Sequence, residues 1–382
     1  MTYANLMSKC GLLLFILSGL TACGHGLDDL DGSADAKTER GLLAFLDGDE
    51  TAGFHRATTV RTLHFPADYG PHPPYRIEWW YLTSSLQDEQ GRFYGVQFTA
   101  FRRALAPPAA VPHDNPWRTP QIYMAHLALS DTTTARHIDD QRIVRAHPQL
   151  AGARAQPFAV WVDGWRLASV GATLLPLQLN AESQSFGIDL VMHEGKPIVL
   201  QGERGLSRKG PQQASYYYSM TRLHAAGTLR VGERTIKVHG RAWLDREWSS
   251  QVLGQDHIGW DWFALQLDQG EDVMVGQLRR RDGARDPYDS GVQVDPDGTY
   301  RVLQAKDFTL MPLQYWRDDR GVRWPIRWQL TLAEPPRTFV IQAAFPNQRM
   351  DTALVYWEGL VYVLGPDAHT IGRGYMELTG YR

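Results

Sequence analysis

Short runs of alternating apolar and polar residues, each closed by a Gly, Pro or Asp turn, constrain this chain more than any other feature. "RIEWWYLTSSL" (76–86), "QDEQG" and "RFYGVQFTAFRRAL" (92–105) read as strand, turn and strand. "GWDWFALQL" (259–267), "DQGE" and "DVMVGQLRRR" (272–281) repeat the design. In the second hairpin Phe263, Leu265 and Leu267 alternate with Trp262, Ala264 and Gln266. A side-chain period of two sets one face against a core. Further short runs follow at "RTIKVHGRAWL", "TYRVLQAKDFTL", "RWQLTLAE", "RTFVIQAAF" and "LVYWEGLVYVLG", and long helical periodicity is scarce. The expected fold is therefore all-β, a barrel or a sandwich, and barrels are the form that encloses a ligand cavity. The two hairpins resemble each other, with Trp80 answering Trp262 and each ending in arginines, which points to two tandem β-domains. The segment 104–120 is too rich in proline for a central strand and reads as a loop over a barrel mouth.

The N-terminus follows different rules. Lys9 precedes the apolar run "GLLLFILSGL" (11–20), which is too short for a permanent bilayer span, and small residues follow it. "LTAC" (20–23) resembles a bacterial lipobox, so residues 1–22 are expected to be a lipoprotein signal peptide and Cys23 the lipidated mature terminus. Gly24 resembles the pattern directed to the outer membrane, which places the protein in the bacterial envelope, anchored by lipid and facing the periplasm. Residues 24–60 are acidic and poor in aromatics, a flexible tether between anchor and body. Cys10 and Cys23 are the two cysteines of the chain, so the expected mature body holds no disulfide and no thiol nucleophile. A net charge of −3 over 382 residues gives no electrostatic reason for a nucleic-acid partner.

The chemistry must come from elsewhere, since no G-x-S-x-G elbow, G-K-[ST] phosphate loop or H-E-x-x-H helix is present. The 13 histidines are scattered, so neither a metal nor a cofactor is expected. What stands out is carboxylates beside large aromatics: Glu78, Asp245, Glu247, Asp261 and Glu358. A carboxyl desolvated against aromatic walls can keep its proton near neutral pH and act as a general acid. Aromatic faces beside it stabilise developing positive charge. The pairing suits protonation of an electron-rich double bond. The bland reading is that these carboxylates bond arginines such as Arg76, Arg102, Arg241 and Arg246 and fasten strands together. In "AWLDREW" (242–248), alternation places Trp243, Asp245 and Glu247 on one face. In "SYYYS" (215–219) it separates Tyr216 and Tyr218 from Tyr217. His72 sits in a rigid corner, "PHPPYR" (71–76).

The blocks "FPADYGPHPPYRIEWWYLT", "FTAFRRAL", "AHLALSD", "SYYYSMTRL", "GRAWLDREWSS", "GWDWFALQLDQGE" and "ELTGYR" resemble the AttH-like family of secreted proteins and lipoproteins related to carotenoid 1,2-hydratase, often labelled predicted secreted hydrolases. The resemblance covers roughly 60–382. It implies two tandem lipocalin-like β-barrels, here 61–250 and 251–382, after the leader and the tether 23–60. It also implies a lipoprotein-release type of ABC-transporter permease as a partner. The hydratase branch uses an aspartate as proton donor with aromatic and histidine helpers. By motif, the aspartate falls on Asp245, its aromatic neighbour on Trp243, and the earlier helper pair on Tyr216 and Tyr218. Tyr216 and Arg246 stand where the family pattern has histidines. The expected ligand-binding residues are His72, Glu78, Trp80, Tyr81, Trp260, Asp261 and Trp262. Three readings stay open: acid-catalysed hydration or hydrolysis of an apolar isoprenoid- or lipid-like molecule, a non-catalytic lipid carrier, and a scaffold between transporter and membrane.

Overall fold

The structure is a computed structural model and describes residues 51–110 and 118–382. The expected leader, Cys23, the expected tether through residue 50 and the middle of the Pro-rich segment lie outside them. The described residues are all-β, with three 3₁₀ turns at Ala67–Tyr69, Pro108–Ala110 and Ala305–Asp307. The strands form two curled sheets in tandem, one of 13 strands and one of 10, each a barrel-like domain.

Both sheets follow one plan. In the first, the opening strand Ile77–Asp88 pairs antiparallel with the late strand Arg234–Ser249, Tyr81 opposite Asp245. In the second, His257–Leu267 pairs with the last strand, Thr370–Leu378. The first and last strands of each sheet are thus neighbours, and the free edges fall mid-sequence: Arg136–Arg145 and Ala151–Ala155 in one, Tyr300–Gln304 and Phe308–Arg317 in the other.

Alternation decides which side chains enter each domain. Trp80, Leu82 and Leu86 point into the first core with Val96, Phe98, Leu127 and Leu244. Phe263, Leu265 and Leu267 point into the second with Trp324, Trp328, Leu330 and Ile341. These interiors are filled by side chains, so the expectation of a ligand cavity inside a barrel is corrected. The odd-numbered set Ile77, Trp79 and Tyr81 faces outward, toward the second sheet. The hairpin correspondence is corrected too: Trp80 lies in its own domain's core, whereas Trp262 faces the junction beside Trp243, ring centroids 6.2 Å apart.

The two sheets touch closely. Asp272, fully buried, accepts hydrogen bonds from Thr221 and Arg222 and pairs with Lys196 at 2.9 Å, tying the second sheet to the first. At Gly95 side chains of the second sheet press so near the backbone that a Cβ would stand 2.5 Å from the Tyr375 hydroxyl and 3.0 Å from Leu360 Cβ. Gly95→Val will therefore lower stability by about 1–3 kcal/mol, the usual cost of overpacking a closed interior. Chemical denaturation of the two proteins measures it.

Candidate active site at the barrel junction

Because the first sheet turns the outward faces of Ile77–Asp88 and Arg234–Ser249 to the second, a cavity forms between the two. Its volume is about 110 Å³, and it is part-open to the surface. The first sheet contributes Trp79, Tyr81, Phe101, Tyr217, Asp245 and Glu247; the second contributes Trp260, Trp262, Met274, Tyr356, Glu358 and Glu377. The walls are largely aromatic, and the Tyr81 ring meets Trp262 edge to face at 5.1 Å.

Asp245 is the most enclosed acid on the first wall, 3% exposed. Tyr217 donates its hydroxyl to Oδ2 at 2.7 Å, Trp243 donates its indole N–H to Oδ1 at 2.7 Å, and Ser219 also donates to Oδ1. Burial pushes the carboxyl up to about 7, against those three hydrogen bonds, which favour the ionised form; the nearby Glu247 carboxylate adds to the rise. Oδ1 is saturated by Ser219 and Trp243, and Oδ2 takes one donor from Tyr217. The remaining lone-pair position on Oδ2 is where a proton can ride.

Glu247, two residues on, shares the face. It accepts hydrogen bonds from Lys209 and Ser215, and Lys209 also lies over the Trp79 ring at 5.6 Å. The reading of Glu247 as an acid fastened by Arg246 or Arg241 is corrected: Arg241 reaches Asp268, and Arg246 turns to the other face.

On the second wall, Glu358 and Glu377 stand directly opposite each other on paired strands. Tyr81 donates to Glu358 Oε1 at 2.7 Å across the junction, and the Trp260 N–H donates to Glu377 at 2.9 Å. Burial and the neighbouring Glu377 charge hold Glu358 well above the usual carboxylate range. Glu377 is pushed up to about 8, chiefly by burial.

Of the residues singled out in sequence, the structure brings Asp245, Tyr81, Trp260 and Trp262 to this cavity, with Trp243 bonded to Asp245 behind it. It places Tyr216 and Tyr218 on the opposite face, which corrects their grouping with Asp245. Tyr216 donates to the Thr59 carbonyl and Tyr218 to that of Asp68, both packed on Trp248. The middle tyrosine, Tyr217, reaches the acid. His72, Glu78 and Trp80 also lie away from the cavity. Glu78 is bound by Arg102 and Arg246, His72 bridges Glu78 and Asp68 while stacking on Trp248 at 3.8 Å, and Arg246 lies over Trp80 at 3.8 Å. Asp261 is sealed on the far side of its strand, where Tyr381 donates to it at 2.8 Å. The residues missed were Tyr217, Ser219, Lys209, Trp79 and Glu377. "SYYYS" carried a usable signal: Ser215, Tyr217 and Ser219 set three hydroxyls at period two, opposite Glu247 and Asp245 in the register.

Fold and site together define a class: a tandem two-barrel β-protein with buried carboxyls around an aromatic cavity at the junction. The chain belongs to the AttH-like family, whose model matches residues 56–381. It is similar to the crystal structure of an AttH protein from Nitrosomonas europaea, at 34% identity and a TM-score of 0.76, over 86% of this chain and 100% of that one. Kievitone hydratase from Nectria haematococca shares the fold at 14% identity and a TM-score of 0.63, over 86% of this chain and 98% of that one. So does CghA, solved with Sch210972, at 14% identity and a TM-score of 0.54, over 88% of this chain and 97% of that one. No curated protein matches the sequence.

Proposed function

We propose that this protein is a lipid-anchored envelope enzyme that hydrates a double bond at one end of an acyclic isoprenoid- or lipid-like molecule, with Asp245 as the acid. The observation that carries the reading is a carboxyl held near neutrality against aromatic walls, with one position left for its proton. A part-open cavity of about 110 Å³ suits the end of a chain rather than a whole carotenoid-sized molecule, the remainder extending through the mouth.

The alkene π pair takes the proton from Asp245 Oδ2, forming a C–H bond at the less substituted carbon and leaving a tertiary cation. The indole and phenol faces around it stabilise that charge. A water oxygen then bonds to the cationic carbon, and the proton it loses returns to the Asp245 carboxylate, giving a tertiary alcohol and restoring the acid. Tyr217, Ser219 and Trp243 steady the carboxylate while it is charged.

The test is incubation with squalene or geranylgeraniol in oxygen-labelled water. The expected product is a tertiary alcohol carrying the label. Ligand recovered unaltered from the cavity, with no alcohol formed, would instead support a carrier that passes lipid to an envelope permease.

A further inference from the structure

Asp245 accounts for one wall of the cavity; the acids of the other wall have no part in the hydration just described. Glu358 is fully buried, and while Tyr81 satisfies its Oε1, no N–H or O–H donor among the described residues reaches Oε2. Across from it in register stands Glu377, which receives the Trp260 N–H and keeps part of its surface on the cavity. Two carboxyls side by side with no cation bonded to either cannot both ionise in a dry setting. The pair therefore keeps at least one proton, and a proton on Glu358 Oε2 satisfies that oxygen by bonding to Glu377. Glu377, which lines the cavity and is itself raised to about 8, keeps a second proton at about pH 6 and has that O–H to offer a ligand.

We infer that the Glu358–Glu377 pair is a binding subsite for a neutral oxygen on the ligand, a carbonyl or hydroxyl that accepts a hydrogen bond from Glu377. This rests on the reading of the cavity as an apolar-ligand site and narrows it to oxygenated isoprenoids rather than pure hydrocarbons. The rise of Glu377 to about 8 is consistent with an acid that stays a donor through neutral pH. The groups that face the pair are Tyr81, Tyr356 and Tyr375, with Asp245, Glu247 and Lys209 beyond them. Of these, Asp245 titrates in the same range, so the test is made in its absence.

The probes are geranylacetone and the hydrocarbon in which its ketone is a methylene. Binding is read by quenching of tryptophan fluorescence in Asp245→Asn protein. At about pH 6 the ketone is expected to bind about tenfold tighter than the hydrocarbon, the value of one good buried hydrogen bond. That preference should vanish above about pH 9, once Glu377 ionises. Glu377→Gln keeps an N–H donor, so it should retain the preference and lose its pH dependence, whereas Glu377→Leu should bind both probes alike. Equal binding of the two probes at about pH 6, or a ketone preference surviving in Glu377→Leu, overturns the subsite. If neither probe quenches, the apolar-ligand reading fails, and the subsite with it.

Discussion

Asp245→Asn will keep the fold and lower turnover of an isoprenoid alkene by about 10²–10⁴-fold, the span that a positioned general acid contributes. Asparagine has nearly the same shape and can still accept from Ser219 and Trp243, but it has no proton to give. In the wild type, activity should be full below the Asp245 value of about 7 and fall about tenfold per pH unit above it, because the acid form does the work. Stability should move in the opposite sense for the variant. The carboxyl is raised to about 7 in the folded chain from an ordinary 3.8, so between those values the folded state binds more protons than the unfolded one. Its stability therefore falls as pH rises through that window, by an amount on the order of 4 kcal/mol for a shift of this size. Asparagine carries no such charge to bury. At about pH 8 the variant should be the more stable protein by up to a few kcal/mol, and at about pH 4 the difference should close. Denaturation at several pH values, run beside kinetics, separates a catalytic acid from a structural one.

Arg246→Met will destabilise the chain by about 2–4 kcal/mol, somewhat less than the usual cost of a wholly unpaired buried carboxylate, because Arg102 stays on Glu78. Glu78 is fully buried, and its charge is shared between Arg102, Arg246 and His72. Burial alone would raise this carboxyl; Arg102 and Arg246 outweigh it and hold it well below the ordinary value. The contribution to stability is therefore complete above pH 4.5 and is lost as pH falls toward the depressed folded value. Glu78→Gln should flatten that acid limb. The double variant Glu78→Leu with Arg246→Met should cost less than the two single changes added together, since it removes charge and counter-charge at once. Urea titrations of the four proteins measure the coupling. Turnover per folded molecule should change far less than in Asp245→Asn, because this network lies on the other face of the strand.

The same strand shows what could be read in the residues and what could not. Alternation placed Trp243, Asp245 and Glu247 together, and they are together; it likewise placed Phe263, Leu265 and Leu267 in a core, where they lie. Period two separates two faces without saying which one is inside. Both faces of "YRIEWWY" and "AWLDREW" are buried, one by its own barrel and the other by the second barrel, so composition could not label them. The working face was thus expected inside a barrel. The family motif put Tyr216 and Tyr218 beside the acid, whereas the parity of the strand gives that place to Tyr217. Arg246 was read by its family position, where a histidine would have aided the chemistry, yet its parity turns it toward Glu78 and Trp80. Glu358 and Glu377 carry no local hint of each other. Their meeting depends on the register of two late strands, and the meeting of Glu358 with Tyr81 depends on packing between sheets 277 residues apart in sequence.

The central claim is that Asp245 holds a proton at the barrel junction near neutral pH. The infrared carboxyl stretch, taken as the difference between wild type and Asp245→Asn across a pH series, reads this directly and needs no substrate. The expected result is one protonated carboxyl at about pH 5 that titrates with a midpoint of about 7. A carboxylate already ionised at about pH 5, near the ordinary aspartate range, would contradict the claim.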